Sequence, residues 1–171
     1  MTVVMICRLF NPHLGGVEKH VEEISKKATD DGHQVIVITQ QHDVDLLKTE
    51  KINDVQIYRI TNKSKNKILL RIEIWSWMIY HLWLFASADV IHVHDVFFWV
   101  WPIRIILFWK KIFITFHGYE AGYKKPNKNS IRARKIANRF SDGSIGVGSW
   151  IEKWYGTKLD VVTYGAVKEE V

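Results

Sequence analysis

Thr2-Val3-Val4-Met5-Ile6-Cys7-Arg8-Leu9, then Asn11-Pro12-His13-Leu14-Gly15-Gly16, then Val17-Glu18-Lys19-His20-Val21, is the stretch on which the fold class turns. The opening run is short, apolar and closed by turn formers, the pattern of a buried strand ending in a loop. From Val17 the apolar residues recur at Val21, Ile24 and Ala28 with charged residues between them, which is helical spacing, until Asp30-Asp31-Gly32 stops it. Residues 34–39 are again an apolar strand. Strand, glycine loop, helix and strand within about 40 residues form a βαβ unit, whose crossover favours parallel strands.

Outward from this unit the alternation continues. Strands are expected at 55–60, 90–94, 112–116, 144–147 and 161–163, and helices at 68–85, near 97–109, at 131–140 and at 150–155. The pattern predicts an α/β fold: a single doubly wound, mainly parallel sheet with helices on both faces. The length of 171 residues fits one domain, and 47% apolar with 25% charged residues excludes a disordered chain. The 24 basic and 18 acidic residues give a net charge of +6, which favours anionic partners. Cys7 is the only cysteine, so no intrachain disulfide forms, and its apolar neighbours mark it as a core residue. The N-terminus lacks the features of a secretory signal, from which a cytoplasmic location is expected.

In a doubly wound sheet, ligands meet the loops at the carboxyl ends of the strands; here these are residues 10–16, 95–98 and 117–122. Gly15-Gly16 precedes a helix, where backbone N–H groups and missing side chains suit a phosphate; a tight turn needing positive φ is the equal alternative. His117-Gly118 follows an apolar strand and places an imidazole at the sheet edge, as an acid/base group or as a loop-capping histidine. His92 and His94, two apart on a strand, share one face with Asp95 at its end. No third ligand or second thiol accompanies them and the spacing matches no closed zinc pattern, so no metal is expected.

Residues 68–85 are almost wholly apolar and include Trp75, Trp77 and Trp83. Arg71 and Glu73 weigh against a membrane span, leaving a helix packed on the sheet or an interfacial helix beside Lys63, Lys65 and Lys67. A second aromatic cluster, Phe97-Phe98-Trp99 with Trp101, follows the His94-Asp95 strand exit. The run from Lys124 through Lys128, Arg132, Arg134, Lys135 and Arg139 reads as a solvated basic face; no nucleic-acid-binding signature accompanies it. Gly146-Val147-Gly148 fails as a dinucleotide fingerprint because Ile151 stands where the third glycine belongs. Asn62-Lys63-Ser64 is a chance sequon in the absence of a secretory signal.

The segment from Asn11 to His20 resembles the opening loop and helix of the family-4 retaining glycosyltransferases. Asp31-Gly32-His33-Gln34-Val35, Asp89 to Asp95, Thr115-Phe116-His117-Gly118 and Ser141 to Ser149 continue the likeness in the family's order. The resemblance implies the N-terminal, Rossmann-like half of a GT-B fold, an enzyme that needs no metal or other cofactor, and a nucleotide-sugar donor. It also implies that Gly15 and Gly16 meet the donor pyrophosphate and His117 the transferred sugar. His13, His94, Asp95, Gly118 and Tyr119 then border the acceptor site. Residues 161–166 resemble the lead into the second, donor-binding domain, so the expected partner is that C-terminal domain or a separate subunit. A glycan or lipid-linked acceptor, peripheral membrane contact and no nucleic acid complete the expectation. The rival is a non-catalytic Rossmann-like binding or membrane-associated module.

Overall fold

The computed structural model describes residues 1–61, 63–118 and 126–164. Its elements run β1 (Thr2–Ile6), α1 (Gly16–Asp30), β2 (Gln34–Gln40), β3 (Thr49–Ile52), β4 (Val55–Ile60), α2 (Lys67–Tyr80), α3 (Leu82–Ser87) and β5 (Val90–His94). They continue through a 3-10 turn (Phe97–Val100), α4 (Trp101–Ile106), β6 (Lys111–Phe116), α5 (Lys128–Phe140), β7 (Gly143–Gly146), α6 (Trp150–Tyr155) and β8 (Val161–Val162). The sheet order is β3-β4-β2-β1-β5-β6-β7-β8, parallel except for β3 against β4. This is the expected doubly wound α/β sheet.

The alternation of side chains along each strand divides the core. Val4, Ile6, Ile91, Val93, Ile112 and Ile114 face one way, under Met78 of α2, Phe85 of α3, Ile103 of α4, Ala137 of α5 and Tyr155 of α6. Met5, Cys7, Val35 and Val37 face the other way, under Val21 of α1. Strands buried on both faces read as continuous apolar runs, which is why they were legible. Burial pushes the Cys7 thiol far above its ordinary range, so it stays protonated and inert.

Three elements differ from expectation. Strand β3 was not foreseen: Thr-Glu-Lys-Ile is mostly polar, as suits an antiparallel edge. Asn53 and Asp54 join it to β4 with φ of 48° and 65°, the two consecutive positive values of a tight hairpin turn. The helix expected over 68–85 is two helices. His81 ends α2, its backbone N–H and its ring Nδ1–H both donating to the Trp77 carbonyl at 3.0 and 2.9 Å while the ring stacks on Trp77. No helix among the described residues is long and apolar enough to cross a membrane. The segment near 97–109 is a 3-10 turn and a six-residue helix, with Pro102 in the first turn of α4.

Candidate functional site at the central strand exits

Crossovers from β1 and β2 move one way across the sheet and those from β5 onward move the other, so the direction reverses between β1 and β5. A crevice opens at such a reversal, at the carboxyl ends of the strands. The exits of β1, β5 and β6 meet there and carry Gly15-Gly16, His94-Asp95 and His117-Gly118 respectively.

His94 ends β5 on the α1 face of the sheet and is 1% exposed. Its Nδ1 lies 2.9 Å from Nε2 of His117, which follows β6. His20, on α1, stands edge-on to both, with ring centroids 4.7 Å from His117 and 6.0 Å from His94. Behind them His92 packs its ring 4.3 Å from that of His94 and bonds the Thr115 hydroxyl through Nε2 at 2.7 Å. His20 is the member that sequence reasoning passed over. The available signal was its place beside Val17, Val21 and Ile24, on the inward stripe of α1.

Burial sets the charge of this group. It pushes the His117 imidazole down to about 3, with His20, His92 and Arg134 adding to the effect, and His92 down to about 4, with His20 adding to it. His94 lies well below its ordinary value for the same reason, followed by its three histidine neighbours, and burial lowers His20 too. All four are neutral at pH 7, so they act as hydrogen-bonding groups rather than as cations for a phosphate.

A pH dependence of stability follows. Each folded-state value is depressed below the ordinary 6.5, so the unfolded chain takes up protons first as pH falls. Stability is complete above pH 6.5 and falls through the window from 6.5 toward 4 and 3. Urea unfolding midpoints should already drop between pH 7 and 5, above the range where carboxylates titrate; a flat profile there would contradict four neutral imidazoles.

Asp95 adopts φ of 61°, uncommon for a residue other than glycine, and its carboxylate accepts the His117 backbone N–H at 3.2–3.3 Å. Arg134 of α5 pairs with Asp95 at 3.3 Å, donates to the Gly118 carbonyl at 2.8 Å, and stacks over Tyr155 and Phe116. Sequence reasoning counted Arg134 in a solvated basic face, and the structure corrects this. Helical periodicity turns it inward, where it clamps the loop that carries His117.

The glycine loop separates the two readings of Gly15-Gly16. Neither glycine has positive φ, so the tight-turn explanation is set aside. Gly15 is extended at φ −164°, and a Cβ there would run into the Glu18 carboxylate. Glu18 is held by His13 Nδ1 at 3.4 Å. A Cβ at Gly16 would meet nothing within 4 Å. Gly16→Ala should therefore leave unfolding free energy within about 0.5 kcal/mol of the parent. If a donor phosphate rests on that backbone, the same change lowers transfer by about tenfold or more. Full activity in G16A would remove the phosphate from this loop.

The ring nitrogens of His20, His94 and His117 lie within 4.8 Å of one another, so the third imidazole missing from the sequence reading is present. Yet the 2.9 Å separation of His94 and His117 is a hydrogen-bond distance, which calls for one proton between the two nitrogens, whereas a metal would need a lone pair from each. The geometry fits a hydrogen-bonded pair. Tyr119, Lys124, Lys125, Asn62 and the 165–166 segment lie outside the described residues.

The family model for Glycosyltransferase Family 4 matches residues 14–163. The chain belongs to this family. Within the family match lie Gly15, Gly16, His20, His94, Asp95, His117 and Arg134; His13 falls one residue outside it. Among curated relatives, the phosphatidylinositol N-acetylglucosaminyltransferase GPI3 subunit of Saccharomyces cerevisiae is 34% identical over 58 residues, 34% of this chain and 13% of the relative.

Among solved structures, sucrose-phosphate synthase from Thermosynechococcus elongatus superposes with a TM-score of 0.70 at 13% identity, over 96% of this chain and 48% of that one. The lipopolysaccharide outer core galactosyltransferase WaaB gives 0.65 at 15%, over 98% and 46%. Anabaena HepE in complex with UDP gives 0.63 at 15%, over 97% and 44%. These neighbours share the GT-B architecture, and this chain spans about half the length of each.

Proposed function

We propose that this chain is the acceptor-side domain of a retaining glycosyltransferase, and that the donor-binding half is a further domain or a separate subunit. The observation that carries this reading is the neutral His94–His117 pair at the point where the sheet reverses direction, in a chain of Glycosyltransferase Family 4. In it, His117 contacts the transferred sugar, Gly15 and Gly16 approach the donor pyrophosphate, and the acceptor lies along His13, Asp95, Gly118 and Tyr119; His94, expected to border the acceptor as well, is 1% exposed and bonds His117 instead. The bond from the anomeric carbon to the phosphate oxygen breaks with its electron pair leaving on the phosphate. The acceptor hydroxyl oxygen forms the new bond on the same face of the sugar, and its proton passes to the leaving phosphate. Charge gathering on that phosphate is what the site must stabilise.

A lipid-linked acceptor at the cytoplasmic membrane face suits the outer surface of α2 to α4. Ile72, Tyr80, Trp83 and Ile105 are exposed there, with Phe108 and Trp109 just beyond α4; Lys63 and Lys65 precede α2 and Lys67 begins it. The relative named for phosphatidylinositol supports the same acceptor class. Trp and cationic side chains together favour an anionic headgroup layer. In co-sedimentation with anionic phospholipid vesicles, Trp83→Ala with Trp109→Ala should weaken binding by about tenfold. Equal binding by parent and double variant would place the membrane contact elsewhere.

The reading is tested by sugar transfer from a panel of nucleotide sugars to lipid and glycan acceptors, using the chain alone and with a donor-type domain added. Transfer only in the second arm is expected. Transfer by the chain alone would overturn the division into halves, and silence in both arms would favour the non-catalytic module.

A further inference from the structure

We infer that His94 is a positioning residue that fixes the tautomer of His117, so that His117 presents its Nδ1–H, as a hydrogen-bond donor, to an oxygen of the substrate. This rests on the reading of His117 as a substrate contact. Two neutral imidazole nitrogens at 2.9 Å need one proton between them, and two arrangements supply it. Either His117 donates from Nε2 to His94 Nδ1, or His94 donates from Nδ1 to His117 Nε2.

The far side of the His94 ring decides between them. His94 Nε2 is buried and has no hydrogen-bond partner among the described residues. A neutral imidazole carries one proton. If His117 were the donor, the His94 proton would sit on Nε2, a buried N–H with no acceptor. If His94 is the donor, Nε2 carries only a lone pair. Buried N–H groups without a partner are the rarer and costlier case, so the second arrangement wins.

The consequence passes to His117. Its Nε2 is occupied as an acceptor, so its own proton resides on Nδ1, which makes no hydrogen bond to any described residue. The ring cannot rotate without breaking the bond to His94. The surroundings hold the loop in register: Asp95 takes the His117 backbone N–H, and Arg134 holds both Asp95 and the Gly118 carbonyl. The ligand chemistry this selects is an oxygen lone pair, a sugar hydroxyl or a phosphate oxygen. The arrangement excludes His117 as the base that first takes the acceptor's proton. His94 reaches the ligand only through His117, as partners behind a ligating histidine fix its tautomer in metal sites.

The test uses the longest form of the protein with 15N-labelled histidine and long-range 1H–15N correlation at neutral pH. The expected spectrum has protonated Nδ1 and bare Nε2 for both His94 and His117. His94→Asn keeps a donor near the Nδ1 position, so it should retain the His117 pattern and most of the turnover. His94→Leu removes the donor and should shift His117 toward the Nε2–H form, with turnover falling about tenfold to a hundredfold. Protonated Nε2 on His117 in the parent overturns the proposal, as does H94L with an unchanged His117 pattern. If H94L does not fold, the parent spectrum and H94N decide. A spectrum as expected, combined with full activity of a His117 variant, would leave the tautomer assignment standing and remove the functional reading instead.

Discussion

Replacing His117 with alanine in the complete enzyme is expected to lower turnover by about 10²- to 10³-fold, the usual cost of removing a preorganised donor that faces developing charge. The fold should survive. His117 lies beyond β6 rather than within it, and its backbone N–H still donates to Asp95 in the variant. The structural loss is the bond to His94, which leaves a buried donor unpaired at a cost of about 1–3 kcal/mol. The two effects separate in experiment, because circular dichroism and thermal melting report the second and kcat the first. A change in KM alone would mean that His117 binds substrate and transition state equally. Unchanged kcat would take His117 out of the site.

Arg59→Ala is expected to cost about 3–5 kcal/mol of stability, the largest single loss we anticipate away from the site. Arg59 ranks among the largest fully buried side chains, at 1% exposure. Its guanidinium pairs with Glu50 of β3 and donates to the carbonyls of Leu47 and Asn11, at 2.9 and 2.8 Å. It therefore ties the edge hairpin to the loop that leaves β1 and leads to Gly15. Alanine leaves a cavity and strips partners from two carbonyls. For a domain of this size the loss corresponds to a melting temperature lower by about 10 °C. Arg59→Met restores most of the volume without the charge, and Glu50, being partly exposed, then solvates its own carboxylate. R59M should thus recover part of the loss. A loss below about 1 kcal/mol in R59A would show that solvent replaces these bonds at no net cost.

Much of the fold was legible because its strands lie buried on both faces. Runs such as Val3 to Ile6 and Ile112 to Phe116 carry that burial in composition alone. Strand β3 was hidden by its edge position, where Glu50 and Lys51 serve as well as apolar residues, although Asn53-Asp54 was a turn signal within reach. The break at His81 was hidden for another reason. The apolar pattern runs straight through it, and the stop depends on a ring nitrogen reaching back to the Trp77 carbonyl.

The candidate site was legible by strand exit but not by partnership. His94 and His117 stand at the ends of adjacent strands, so each was found, yet their mutual bond depends on the register of β5 against β6. His20 required knowing which face of the sheet α1 covers, and Arg134 which side of α5 turns inward. Local sequence also left Gly15-Gly16 undecided. Only the absence of positive φ, with open space at Gly16, moves the weight toward a ligand.

The most direct test of the account is a nucleotide-sugar titration of the longest form of the protein, followed through the backbone amide and histidine-ring signals of this domain. The account predicts perturbations that saturate together at Gly15, Gly16, His117 and Gly118, with His94 responding through its bond to His117. Saturable binding of an accepted donor that leaves all of these signals unmoved would contradict it.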